Sequence, residues 1–190
     1  GRKRMRLSEP RIPPLSDEEA NDEQREVLDQ ARQRGRDRVL NVQRTIAHYP
    51  ALARARAPFT AHIMGGSALP QRERELLILR IGWLCQSEYE FGQHTRFGKS
   101  VGLSDEEIKR VTQGPEADGW DPFDASLLRA ADELHGDAFI GDATWAALGE
   151  RYSQDQLMDV VFTVGQYNLV SMALNSFGVQ FEEGVTGFPD

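Results

Sequence analysis

Residues 69–84 read Leu69-Pro70-Gln71-Arg72-Glu73-Arg74-Glu75-Leu76-Leu77-Ile78-Leu79-Arg80-Ile81-Gly82-Trp83-Leu84. A proline suited to a first helical turn is followed by charges at 72–75 and then by apolar residues at nearly every position. A helix apolar on all faces has no side to offer water, so the later turns of this one are expected to be buried all round. Residues 153–177 repeat the pattern, with Leu157, Val160, Val161, Val164, Leu169, Met172 and Leu174 spread over several faces. Two such helices in one domain predict a central pair or a self-association interface.

Helix punctuation extends outward from this segment. Ser16 with Glu19, Ser104 with Glu107 and Ser153 with Gln156 match the capping box, in which the two side chains satisfy free amides of a first turn. Pro50, Pro70 and Asp121-Pro122 suit three further starts, Asp142 suits a short one, and Gly35, Gly65, Gly102, Gly114 and Gly178 sit where helices should stop. The spacing predicts helices over 16–34, 37–48, 50–64, 70–84, 87–101, 104–113, 122–136, 142–151 and 153–177. No segment alternates apolar and polar residues between turn signals, so the fold class is all-α. Residues 1–15, basic and carrying Pro10, Pro13 and Pro14, read as an extended N-terminal arm before a single all-α domain over 16–190.

A chain of 190 residues with 39% hydrophobic and 27% charged residues is one soluble globular domain. Its formal charge of −8 disfavours a nucleic-acid binder, leaving small molecules as the expected partners. The single cysteine, Cys85, excludes an intramolecular disulfide and a two-thiol redox cycle within one chain, and fits a reducing cytoplasm. The apolar stretch Val160–Val179 is interrupted by Thr163, Gly165, Gln166, Asn168 and Asn175 and is not read as a membrane span, and no export signal is expected at the start.

Chemistry concentrates after residue 70. Glu90 and His94, four apart, project from one helix face as a carboxylate and an imidazole must to share a proton, with the aromatic residues Tyr89, Phe91 and Phe97 around them. Glu75, nineteen residues before His94, is brought back toward the pair if the two helices form a hairpin. On the last helix Asn168, Ser171 and Asn175 form a polar stripe beside Tyr167, suited to orienting a substrate carbonyl or to cross-linking helices. Cys85 ends an apolar run and reads as a packed thiol rather than a nucleophile, while His48, His62 and His135 suit capping or surface roles. Glu-x-x-x-His alone is a frequent accident and defines no metal site, so neither metal nor cofactor is expected.

The segment 69–84, followed by Tyr89-Glu90-Phe91-Gly92-Gln93-His94-Thr95 and by Val101-Gly102-Leu103-Ser104-Asp105-Glu106-Glu107-Ile108, resembles the carboxymuconolactone decarboxylase family and its alkylhydroperoxidase D-like relatives. The resemblance covers about residues 40 to 180 and implies an all-α alkylhydroperoxidase D-like bundle assembling as homotrimers or homohexamers. In the peroxidase branch a Glu is followed by a Cys-x-x-Cys pair and a His; aligned on His94, those positions hold Glu75, Ser87, Glu90 and His94, so both thiols are absent. The decarboxylase branch looks like Glu-Phe-x-x-His, which is kept as Glu90-Phe91-Gly92-Gln93-His94.

The resemblance thus implies a cofactor-independent lyase acting on a small carboxylated or enolisable ring compound, such as a lactone from aromatic catabolism. His94 is the expected proton carrier, Glu90 its orienting partner and Glu75 a second acid or base. Tyr167, Asn168, Asn175 and Tyr89 are the expected substrate-binding residues, with Arg80 and Arg96 available to a lactone. The rival readings are a peroxidase using Cys85 with an external thiol and a non-catalytic oligomeric helical protein.

Overall fold

The computed structural model describes residues 5–34 and 38–190, and every regular element among them is helical. In chain order these are α1 (Asp22–Arg34), α2 (Asn41–Ile46), α3 (Pro50–Ala61), a π-helical turn (His62–Gly66), α4 (Gln71–Leu84), α5 (Glu88–Ser100), α6 (Asp105–Gln113), α7 (Pro122–Asp137), α8 (Asp142–Gly149) and α9 (Gln154–Phe177). The stop expected at Gly35 and the start expected at Asp37 lie outside the described residues.

Helix α4 is the axis, packed against α5, α6, α7 and α9. Its burial goes further than the apolar run required: Glu73, Arg74, Glu75 and Arg80 are buried along with Leu76 to Ile81, whereas Trp83 and Leu84 at its end are less so. Charges can be taken out of water only with partners. Glu73 accepts from Arg151 (2.5 Å) and from the Tyr152 hydroxyl, Arg74 binds Glu75 (2.9 Å), and Arg80 binds Asp132 (2.5 Å) and the Val111 carbonyl (2.8 Å). Arg80 is therefore a clamp joining α4 to α6 and α7, occupied on every side and removed from substrate binding.

The boxes at Ser104 and Ser153 open α6 and α9 as the sequence predicts. The box at Ser16 also forms, yet the turn it starts runs out by Ala20, and a second box, Asn21 with Gln24, begins α1. Two competing caps five residues apart thus shorten the helix expected over 16–34. Gly141 rather than Asp142 caps α8, and Pro70 precedes α4 as its cap rather than entering it. Helix α3 ends at Ala61 after an internal Pro58, and the chain completes the stretch as the π turn, whose Met64 carbonyl accepts from Arg74 (2.8 Å).

Helix α9 is long and apolar enough to cross a membrane by length and composition alone. It lies here as a core helix that buries Asp159, Thr163, Gln166 and Ser171. Its outer side leaves Met158, Phe162, Leu169 and Met172 more than half exposed, at helical spacing.

The described part of the arm is extended and lies along its own chain. Arg11 and Ile12 donate backbone N–H bonds to the Phe177 carbonyl (2.9 and 3.2 Å), and Leu15 is buried against Leu28 and Ala47. At the other end the tail crosses α5 at Gly92. A side chain there would collide with the Thr186 carbonyl, since a Cβ would stand only 2.2 Å from it, so only glycine admits the crossing. Phe188 then seats between Trp83 and Phe91, ring centroids 4.7 and 5.3 Å away.

Candidate active site

The turn between α4 and α5 is tight, with Gln86 in the left-handed region (φ 53°), and it folds the two helices into a hairpin. Across that hairpin Glu75 reaches the imidazole: Glu75 Oε2 lies 2.6 Å from His94 Nδ1. The second oxygen, Oε1, accepts from Arg74 Nε and Nη2 (3.1 and 2.9 Å). Glu75 is fully buried and His94 6% exposed. Burial alone pushes the Glu75 carboxyl up, but His94 and Arg74 outweigh it and hold it below the ordinary carboxylate range. A carboxylate on Nδ1 fixes the ring's orientation and leaves Nε2, which has no protein partner among the described residues, to exchange protons.

The role expected for Glu90 passes to Glu75. Glu90 and His94 share a helix face, but each side chain meets a different neighbouring element. Glu90 points to α9, where Ser171 Oγ donates to its Oε2 (2.6 Å), while its Oε1 and the hydroxyl of Ser87 one turn earlier are buried without partners. Desolvation, with Ser171 only partly offsetting it and Glu75 adding repulsion, raises the Glu90 carboxyl well above its usual range. The environment thus favours the protonated form of Glu90, whose carboxyl bonds Ser171 and makes no hydrogen bond to the imidazole.

Tyr167 does join the site. Its ring packs edge-on against His94 (4.8 Å between centroids), and its hydroxyl donates to Met64 Sδ (2.9 Å), a weak acceptor. Three other expected substrate contacts are placed elsewhere. Tyr89 donates to Glu182 Oε1 (2.6 Å) and stacks on Phe181, because its position on α5 faces the tail. Asn168 Oδ1 accepts from Cys85 Sγ (3.0 Å) and lies 3.3 Å from His135 Nδ1; Asn175 donates to the Cys85 carbonyl (3.0 Å), closing the C-terminus of α4. The polar stripe on α9 thus splits, with Ser171 serving Glu90 and the two asparagines fixing the Cys85 corner. Burial, followed by the nearby Glu90, pushes the Cys85 thiol up to about 11.

The other histidines are satisfied outside the site: His48 at the Pro13 carbonyl and His62 at Asp159, each 2.8 Å away. Among the described residues no group of three or more His, Cys, Asp and Glu side chains could hold a metal ion.

One feature lay beyond the sequence reading. A cavity of about 730 Å³ opens between α1, α2, α3 and α5, with Met64, Gln93, Arg96 and Phe97 in its lining, though Glu75, His94 and Tyr167 are not themselves part of it. Phe97 packs against His94 at 5.3 Å, and Met64 meets it through Tyr167. Arg34, Arg38, Arg54 and Arg56 line it as well.

Residues 50–133 match the model of the carboxymuconolactone decarboxylase family. The fold is similar to that of an uncharacterized peroxidase-related protein with an alkylhydroperoxidase AhpD core from Ralstonia eutropha JMP134 (20% identity, TM-score 0.77, covering 90% of this chain and 93% of that one). An uncharacterized peroxidase-related protein from Silicibacter sp. TM1040 is similar over 99% of both chains (16% identity, TM-score 0.75). The debrominase Bmp8 in complex with 2,3,4-tribromopyrrole is similar over 90% of this chain and 91% of its own (13% identity, TM-score 0.74). A comparison with curated proteins finds no match.

Proposed function

We propose that the protein is a cofactor-independent lyase acting by acid–base chemistry on a small carboxylated or enolisable ring compound. The observation that carries this reading is the buried Glu75–His94 pair, fixed by Arg74 beside a cavity large enough for such a ligand. In the reference step the bond to a ring carboxylate breaks, carbon dioxide leaves, and the electron pair passes into the adjoining carbonyl as an enolate. His94 then delivers the proton on Nε2 to carbon and recovers one from water, while Glu75 retains the proton on Nδ1. Tyr167, whose present acceptor is only a thioether, is the donor available to the developing enolate oxygen.

The exposed apolar row on α9 supports self-association, and a homotrimer or homohexamer belongs to the same reading. The test is release of carbon dioxide from a panel of unsaturated lactone acids and β-keto acids by wild type and His94→Gln. Release by wild type that is lost in the variant is expected. No turnover across the panel, or turnover indifferent to His94, overturns the proposal.

A further inference from the structure

The cavity beside the imidazole has a charge opposite to that of the chain. The protein is acidic overall, with a formal charge of −8, yet no Asp or Glu lines this cavity among the described residues, while Arg34 of α1, Arg38, Arg54 and Arg56 of α3 and Arg96 of α5 do. Arg54 is engaged by Glu26 (3.0 Å). Arg56 and Arg96 have no hydrogen bond or ion pair with any described residue. Arg56 is half-buried and Arg96 exposed, and since a guanidinium does not shed its charge, both are available to pair with an anion.

The remaining wall is apolar around Ala53, Ala57, Met64 and Phe97. Arg56 interacts electrostatically with Tyr167, and Tyr167 packs on His94, which links this part of the cavity to the imidazole.

We propose that Arg56 and Arg96 form a carboxylate-binding end of this cavity, specific for a small organic acid whose ring-sized apolar body lies against Ala57, Met64 and Phe97. The guanidinium fork suits a planar carboxylate, and low-dielectric walls strengthen the pairing. The carboxylate held there is a handle and not the group expelled, because pairing with arginine stabilises the charge that decarboxylation must discharge. The proposal rests on reading the cavity as the substrate chamber of His94, but it concerns binding and is tested by binding.

Isothermal titration at low salt with benzoate, its neutral counterpart benzamide, and inorganic phosphate provides that test. Benzoate is expected to bind, with benzamide and phosphate each at least about tenfold weaker. Arg56→Gln should weaken benzoate about tenfold or more and Arg96→Gln about threefold or more, while His94→Gln stays within about twofold of wild type. Arg56 has no bond to lose, so its variant should melt like wild type. If it does not fold, Arg56→Lys decides, since it keeps the charge without the fork and should weaken benzoate about threefold or more. Absence of benzoate binding, equal binding of benzamide or phosphate, or indifference to Arg56 overturns the anion site. Equal loss in His94→Gln does so too. If benzoate binds as described while no acid is turned over, the anion site stands and the lyase reading falls.

Discussion

Glu75 Oε2 stands 2.6 Å from His94 Nδ1 across the α4–α5 hairpin, and Arg74, the residue next to Glu75, grips the other carboxylate oxygen. The arrangement couples stability to chemistry at one carboxylate, because the acid that neutralises a buried arginine also orients the ring. His94 can be changed without stranding that arginine. Glu75 cannot.

Changing His94 to Gln should therefore cut turnover about a hundredfold or more while the melting temperature stays within a few degrees of wild type. Changing Glu75 to Gln should also cost about 3–5 kcal/mol, since it leaves the Arg74 guanidinium buried and uncompensated. Steady-state kinetics with denaturant melts separates the two. A stable Glu75→Gln protein would contradict the role given to the ion pair.

Cys85 should be a slow thiol. With the thiol's pKa pushed up to about 11, the thiolate is scarce at pH 8, and alkylation by iodoacetamide is expected to be about a hundredfold slower than for a free cysteine. Cys85→Ser should leave lyase turnover within a few fold. Rapid alkylation, or activity lost in a folded Cys85→Ser protein, would favour the thiol peroxidase.

Glu90 and Glu75 predict opposite pH limbs. Glu90 is raised in the folded protein, so the unfolded chain ionises first and stability falls as pH climbs from the ordinary carboxylate range toward the folded value. Glu75 is lowered, so its contribution is present above the ordinary range and fades as pH drops through its folded value. Glu90→Gln should raise the melting temperature at pH 7–8 by several degrees and flatten the decline toward neutral pH. Melting curves between pH 4.5 and 8 that are parallel for the two proteins would refute the assignment.

The outer row of α9 should hold copies together. Leu169 and Met172 are 60% and 56% exposed; the wild type is expected to run as a trimer or hexamer by light scattering and a Leu169→Glu, Met172→Glu double variant as a monomer. A monomeric wild type at micromolar concentration would remove the basis for this expectation.

The positions of α4 and α5 were readable because their signals are local: a proline start, an apolar run, and an acid and an imidazole at a separation that a hairpin closes. What escaped was which neighbour each side chain meets. Glu90 and His94 share a helical face, yet Ser171 claims the first and Glu75 the second, a choice made by α9 and α4 and absent from the spacing. Tyr89 followed its own side of α5 to Glu182, and Asn168 and Asn175 closed the Cys85 corner, because a polar stripe says that partners are needed without saying where they are. Arg80 looked available and is fully occupied, since nothing local announces Asp132. The cavity was least legible, although the alternation of arginine and alanine over 53–57 marks a helix that carries cations beside a smooth surface.

The tail that crosses Gly92 makes the C-terminus a sentinel for the chamber. Glu182 accepts from Tyr89, from the Asn41 amide (2.6 Å) and from Gln93, and Gln93 is also part of the cavity wall. Anything that stiffens α5 from within is thereby transmitted to residues 182–188, whose backbone lies directly on that helix. Proteolytic nicking of the tail should slow when the chamber fills, so a limited digest becomes a screen for ligands that requires no knowledge of the reaction.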